Sequence, residues 1–326
     1  MKKVLITGGA GFFGSNLVRF LDSHYPGIEV LIIDNFSSGS KDLVGQVQNV
    51  KLQYIEADLK NRQSYQDFFF GVDYVFHLAA NPDIAAAAND PSIDFWEGTL
   101  LTQNVLDSMR LNSCTNLFYS SGSGVYGEKL IDSFPENYGE KWPVSPYGAS
   151  KLACEAMVSA YSHMYGIRST IFRLANIVGP NQTHGVAFDF INKLLASNGC
   201  SLKVLGDGSQ LKSYIHISDV LAAINKFCFD YPLRQSIDVF NISSMDRVSV
   251  SEIAEIVIRC MGLDVRKVDL VFGLGSRGWL GDVPIIGLDP SKALEAGWSP
   301  VLTSRQAIEK SVFEMLEKRV TDDFLF

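Results

Sequence analysis

The chain has 326 residues, 47% of them hydrophobic and 20% charged, which is enough apolar material for one large domain or two closely joined ones and too much for a disordered chain. Its net charge of −8 would repel a phosphodiester backbone and argues against nucleic-acid binding, though a local basic pocket for one small anion stays open. Five scattered cysteines, Cys114, Cys154, Cys200, Cys228 and Cys260, lack the close pairing of metal sites and read as buried, reduced thiols, and no window reaches the ~18 apolar residues of a membrane span.

In chain order, short apolar runs alternate with longer amphipathic stretches, the pattern of parallel β-α-β units. Strands are expected at Val4–Ile6, Val30–Ile33, Leu52–Ile55, Tyr74–Leu78, Leu117–Tyr119 and Ser169–Phe172, with helices at 14–24, 61–70, 98–112 and 147–165. The first apolar run breaks at Thr7-Gly8-Gly9, too soon for a signal peptide, so the cytoplasm is the expected location. Together these elements predict an α/β fold: a doubly wound parallel sheet of the Rossmann type. After Arg173 the pattern becomes shorter and less regular, and Gly179-Pro180 interrupts it. A first domain over 1–176 and a smaller mixed α/β substrate domain over 177–326 are expected, with segments near 213–243 returning to the first.

The first strand runs directly into Gly8-Gly9-Ala10-Gly11-Phe12-Phe13-Gly14, which opens a helix. Gly8 permits the tight turn, Gly11 removes a side chain that would block a pyrophosphate, and Gly14 lets helix and strand pack closely. The helix N-terminus then offers its free N–H groups to negative charge. Glycine turns are common, so the trio alone is a weak signal. Context strengthens it, because the second strand ends at Asp34, twenty residues past Gly14, where a carboxylate can bind ribose hydroxyls and repel a 2′-phosphate, favouring NAD over NADP. Asp58-Leu59 and Leu78-Ala79-Ala80 stand at further strand ends where ligands bind in such sheets, although Asp58 by itself also reads as a loop residue capping a helix.

Tyr147 and Lys151 are four residues apart on one face of the helix expected after Pro146. An unperturbed phenol has a pKa of ~10. A lysine ammonium ~4 Å away, at an effective dielectric of ~20, contributes about 4 kcal/mol and would bring that phenol toward neutral pH, where it can serve as a base. A tyrosine and lysine on an ordinary amphipathic helix give the same spacing.

At these residues the sequence resembles the extended short-chain dehydrogenase/reductase family, in its nucleotide-sugar epimerase branch. The resemblance rests on Thr7 to Gly14, Asp34-Asn35-Phe36-Ser37-Ser38-Gly39, His77 to Ala80, Val125-Tyr126-Gly127, Ser145 to Lys151, Arg173 to Pro180, His184-Gly185-Val186, Gly206 to Gln210, Lys212-Ser213-Tyr214 and Arg277 to Pro284. It implies NAD-dependent epimerisation at carbon 4 of a nucleotide-activated hexose, with a UDP-sugar the expected substrate and a 4-keto sugar the transient intermediate. Tyr147 is the implied base, with Lys151 lowering its pKa and holding the nicotinamide ribose. For NAD the resemblance implies Gly8, Gly11, Phe12, Phe13, Gly14, Asp34, Asn35, Ser37, Ser38, Gly39, Asp58, Leu59, Leu78, Ala79, Ala80, Ser120, Tyr147, Lys151 and Leu174. For the nucleotide sugar it implies Asn176, His184, Val186, Lys212, Tyr214, Arg277 and Asp282, with Lys212 and Arg277 facing the diphosphate. Taken singly, each of these cations also reads as a solvated surface charge, and Tyr214 as core. No metal site and no membrane contact are expected, and a homodimer is.

The resemblance also has gaps. Relatives carry serine or threonine four residues before the tyrosine of Val125-Tyr126-Gly127, where its hydroxyl binds the reacting oxygen, and here that position is Gly122. Ser121 or Ser123 would have to take the role. Strand alternation turns both away from the side residue 122 faces, unless the glycine re-aims them. Ser123 and Gly124 stand where dehydratases and decarboxylases of the family place acidic residues, which argues against dehydration. Phe95 replaces a frequent asparagine near the cofactor, and Lys212 a frequent arginine. Two other readings remain: a different NAD-dependent change of the same substrate class, such as 2-epimerisation or keto-sugar reduction, and a non-catalytic NAD-binding sensor.

Overall fold

In the computed structural model, residues 2–129, 131, 133–230 and 236–323 are described. The main sheet has seven strands, and its first six are β1 (Lys3–Thr7), β2 (Glu29–Asp34), β3 (Lys51–Glu56), β4 (Tyr74–His77), β5 (Asn116–Gly122) and β6 (Arg168–Leu174). The strand Ile237–Ile242 completes it, in the order Ile237–Ile242, β6, β5, β4, β1, β2, β3. Val4, Leu5 and Ile6 in β1 are wholly buried, as in a strand covered on both faces. The strand order reverses between β1 and β4, and ligands in doubly wound sheets bind at such a reversal, beyond the carboxyl ends of the strands. Among the helices are α1 (Phe12–His24), the single turn α2 (Lys41–Val44), α3 (Leu100–Leu111) and α4 (Pro146–Tyr165).

Chain contacts divide the molecule into two compact units. The first contains 1–125, 141–173 and 223–240; the second contains 126–140, 174–222 and 241–326. The segment Tyr126–Glu140 falls inside the expected 1–176 block yet belongs with the second unit. That unit carries small sheets: β7 (Asn176–Val178) beside Tyr214–His216, Ser201–Val204 beside Asp269–Phe272, and Leu211–Lys212 between Val248–Ser249 and Ile285–Ile286. They mix parallel and antiparallel pairing. Its core gathers Phe190, Ile191, Leu194, Ile253, Val257, Ile308 and Val312.

Two sequence expectations change. Residues 61–70 form two 3-10 turns, Arg62–Ser64 and Gln66–Phe69, instead of one helix. The Tyr65 hydroxyl donates to the Leu59 carbonyl at 2.9 Å, which tightens the chain, and Phe69 is drawn into the core while Phe70 is left exposed. The cysteines are free, but only Cys114 and Cys154 are buried; Cys200 is exposed.

Candidate active site

The first loop is shaped by backbone sterics. Gly8 has φ 68°, and a Cβ there would lie 2.8 Å from the Ala79 nitrogen. At Gly14 it would lie 2.4 Å from the Gly9 Cα. Gly11 differs: an added Cβ would meet only the Gly8 carbonyl oxygen, at 3.4 Å, so its bare face looks onto open space. Gly11 is also the N-cap of α1, with no side chain to occupy the first-turn N–H groups, so the amides of Phe12, Phe13 and Gly14 are available to an anion.

Asp34 is buried at the end of β2. One carboxylate oxygen accepts from the Ala10 N–H and the other from the Phe36 N–H, each at 2.9 Å. A carboxylate has about four lone-pair sites, so both oxygens keep capacity for ribose hydroxyls. Gly39 presses on the first loop, where a Cβ would be 2.6 Å from the Ala10 carbonyl. Asn35, Ser37 and Ser38 are exposed, and Asn35 accepts from the Ser37 amide and hydroxyl at 3.1 and 2.8 Å. These residues form a cradle that fits a dinucleotide.

Other expected contacts are more committed. Asp58 accepts from the Lys60 N–H at 2.8 Å. The Leu59 side chain lies in the core, and its carbonyl accepts from Tyr65 and Asn104. Leu78, Ala79 and Ala80 are half-buried past the end of β4, and Leu174 is buried at the end of β6.

Helix α4 begins with a cap: Ser145 accepts from the Gly148 N–H at 3.2 Å and Pro146 occupies the first turn. Tyr147 is half-buried and Lys151 is 6% exposed. The Lys151 ammonium donates to the Ser120 carbonyl at 2.7 Å and lies 5.6 Å from the Tyr147 ring centroid and 5.1 Å from that of Tyr119. The structure thus brings Tyr147, Lys151 and Ser120 together. Gly98 makes room on the far side, because a Cβ there would meet the Ser150 hydroxyl at 2.6 Å, and Thr99 shares a hydrogen bond with that hydroxyl at 2.9 Å.

The two candidate serines part company. Ser121 is buried and donates to Glu155 Oε1 at 2.6 Å. Ser123 opens a 3-10 turn, Ser123–Tyr126, just past the end of β5, so strand alternation does not govern it. Its neighbour Gly124 packs on Gly148, where an added Cβ would lie 2.6 Å from the Gly124 carbonyl, and Gly148 follows Tyr147. Gly122 lacks a positive φ, and an added Cβ would meet nothing within 4 Å.

His77 carries a role the sequence did not reveal. It is buried between Thr7 (2.7 Å) and Thr102 (3.0 Å). Burial first, and then the positive charge of Lys151, holds its pKa down at about 3, so it is a neutral spacer.

In the second unit, Lys212 pairs with Asp282, while Arg277 donates to the Asp282 carbonyl and, at 2.6 Å, to Glu128. Tyr214 is buried in that unit's core, and burial raises its pKa. It lies opposite Asn176 in the strand register. His184 is exposed and Val186 starts the helix Val186–Ala196. Glu128 was not anticipated, since only the fold makes it a partner of a residue 149 positions away.

Residues 4–243 match the family described as NAD dependent epimerase/dehydratase family, and the chain belongs to it. The chain is 30% identical over 316 residues to a putative UDP-glucose 4-epimerase of Methanocaldococcus jannaschii, covering 95% of this chain and 97% of the relative. A crystal structure of a UDP-galactose 4-epimerase is 34% identical, with a TM-score of 0.83 and coverage of 98% and 99%. A dTDP-glucose 4,6-dehydratase of Streptomyces venezuelae, solved with NAD bound, is 25% identical with a TM-score of 0.87 and coverage of 98% of each chain. The chain is therefore an NAD-dependent member of the nucleotide-sugar epimerase and dehydratase group. Among the described residues no helix is long and apolar enough to cross a membrane.

Proposed function

We propose that this chain epimerises carbon 4 of a nucleotide-activated hexose, a UDP-sugar, through a transient 4-keto sugar. The observation that carries this reading is Lys151, buried and tied to the Ser120 carbonyl, with its charge beside the Tyr147 ring. Bound NAD, seated on Gly8 to Gly14 and Asp34 to Gly39, supplies the hydride acceptor and, on the return step, the hydride donor. Tyr147 takes the proton from the carbon-4 hydroxyl and gives it back to the opposite configuration. Lys151, with its ammonium beside the Tyr147 ring, holds the nicotinamide ribose. Ser123, on the turn packed beside Tyr147, donates to the reacting oxygen. Arg277 and Lys212 neutralise the diphosphate, with Asn176, His184, Val186, Tyr214 and Asp282 completing the sugar-nucleotide contacts.

The non-acidic pair Ser123-Gly124 supports epimerisation over dehydration, because expelling water needs both an acid and a base. A cytoplasmic homodimer is part of the proposal, and sedimentation equilibrium would test the dimer.

An NMR screen of UDP-, GDP-, CDP- and dTDP-hexoses for changed anomeric couplings tests the substrate. An epimerase leaves the cofactor balance unchanged; stoichiometric consumption of NADH would show a reductase instead. Tyr147→Phe is expected to cut turnover by ~10²–10⁴-fold, the usual worth of acid–base catalysis, with NAD still bound. Turnover within about threefold of wild type would mean that another group is the base, given that range.

A further inference from the structure

Glu155 lies one helical turn beyond Lys151 on α4, so Tyr147, Lys151 and Glu155 form one stripe at intervals of four residues. Its side chain is 8% exposed and that of its partner Arg173 is 6% exposed. Arg173 donates from Nε to both carboxylate oxygens, at 3.0 and 3.2 Å, and from Nη2 to Oε2 at 2.7 Å. Oε1 also accepts the Ser121 hydroxyl at 2.6 Å.

A buried ion pair is a poor way to add stability, since the cost of dehydrating two charges often matches their attraction. Its position says more. Ser120 is held by Lys151 through its carbonyl and Ser121 by Glu155 through its hydroxyl, so consecutive residues of β5 attach to consecutive turns of α4. Immediately beyond lie Gly122, with space on every side of its Cα substituent position, and the turn carrying Ser123. The Glu155 link therefore ties the Ser121 side chain to α4 at the last residues of β5, just before that open stretch.

We propose that Glu155, charged against Arg173, is a positioning residue: through Ser121 it fixes the end of β5, and with it the turn that sets Ser123 beside Tyr147. This rests on the epimerase reading above and assigns Ser121 to the clamp, not to the reacting oxygen. Arg173 fixes the carboxylate by a two-pronged contact, so that Oε1 stays aimed at Ser121.

The test uses the NAD-loaded enzyme with UDP-glucose and UDP-galactose as probes. Ser121→Ala removes the link but keeps the ion pair. It is expected to lower kcat roughly tenfold, less than the ~10²-fold that a 1 Å misplacement can cost, with KM and NAD content unchanged. Ser121→Thr keeps a hydroxyl and should restore most of kcat. Glu155→Gln weakens the Arg173 contact that aims the carboxylate, so adding Ser121→Ala to it should cost less than the sum of the two single effects. Amide hydrogen exchange gives a readout that needs no turnover: residues 118–126 should exchange faster in Ser121→Ala and Glu155→Gln, with Gly8–Gly14 unchanged. Unchanged exchange at 118–126 in both variants overturns the proposal. So does a Ser121→Ala variant that loses turnover on the scale of Tyr147→Phe while Ser123→Ala stays near wild type, since Ser121 would then touch the reacting oxygen. If the wild-type enzyme does not interconvert UDP-glucose and UDP-galactose, the epimerase reading fails separately, and the exchange result still decides whether Glu155 clamps β5.

Discussion

The glycine-rich loop of the first unit and the charged cluster of the second are both candidates for holding phosphate, but they are built on opposite principles. Around the loop, Gly8, Gly14 and Gly39 are required by shape: each would push a Cβ to within 2.9 Å of backbone atoms that have nowhere to go. In the cluster, Lys212, Arg277, Asp282 and Glu128 satisfy one another's charge, and the Arg277 and Glu128 side chains are 42% and 40% exposed. The loop's shape is set by its own backbone, whereas each cation of the cluster is already paired with a carboxylate.

That contrast can be broken most directly at Gly14. Gly14→Ala places its methyl 2.4 Å from the Gly9 Cα, a contact that strains the loop whichever side yields. Overpacking of this kind costs about 1–3 kcal/mol, so calorimetry is expected to show NAD binding weakened by about 5- to 150-fold. Unchanged affinity would mean that the loop is adjustable after all.

The next effect concerns acid. His77 has a pKa of about 3 in the fold against 6.5 in the unfolded chain, so below 6.5 the unfolded state takes up a proton that the fold resists. Stability from this group is complete above 6.5 and is lost as pH falls toward about 3. Between pH 6.5 and 5 the loss is expected to be about 2 kcal/mol, and His77→Gln should flatten that part of the curve in denaturant titrations.

A smaller response is expected from the second unit. Exposed ion pairs contribute about 0–1 kcal/mol, so Glu128→Gln should hardly change stability while lowering the KM for the nucleotide sugar up to about fivefold, by freeing Arg277. A rise in KM would show that Glu128 assists binding. The smallest effect belongs to Gly122→Ser: with open space around the new side chain, stability should change by less than ~0.5 kcal/mol and turnover should hold or improve.

The same contrast explains what was legible in the sequence. Glycines required by shape announce themselves through strand, turn and helix, and α4 was readable from Ser145-Pro146 and the Tyr147 to Lys151 spacing. The turns over 62–69 were not, because Tyr65 and Phe69 are drawn inward by core contacts that override local helical pattern. Alternation along β5 could not separate Ser121 from Ser123, since the strand stops between them. Glu155 and Glu128 stayed hidden for another reason: their partners lie 34, 18 and 149 residues away, and a charge has no periodicity to betray a distant contact.

The stripe on α4 also limits how this chain can change in length. Each residue advances a helix by about 100°, so one residue inserted between Tyr147 and Lys151, or between Lys151 and Glu155, would swing everything on one side of the insertion about a quarter turn away from the rest. The lysine would leave the Ser120 carbonyl or the glutamate would leave Ser121, while hydrophobic positions further along could still repack. Loops elsewhere in the molecule can lengthen at little cost. Over residues 147–155 only substitutions that keep the count are compatible with the arrangement, so this nine-residue window is effectively closed to insertion and deletion.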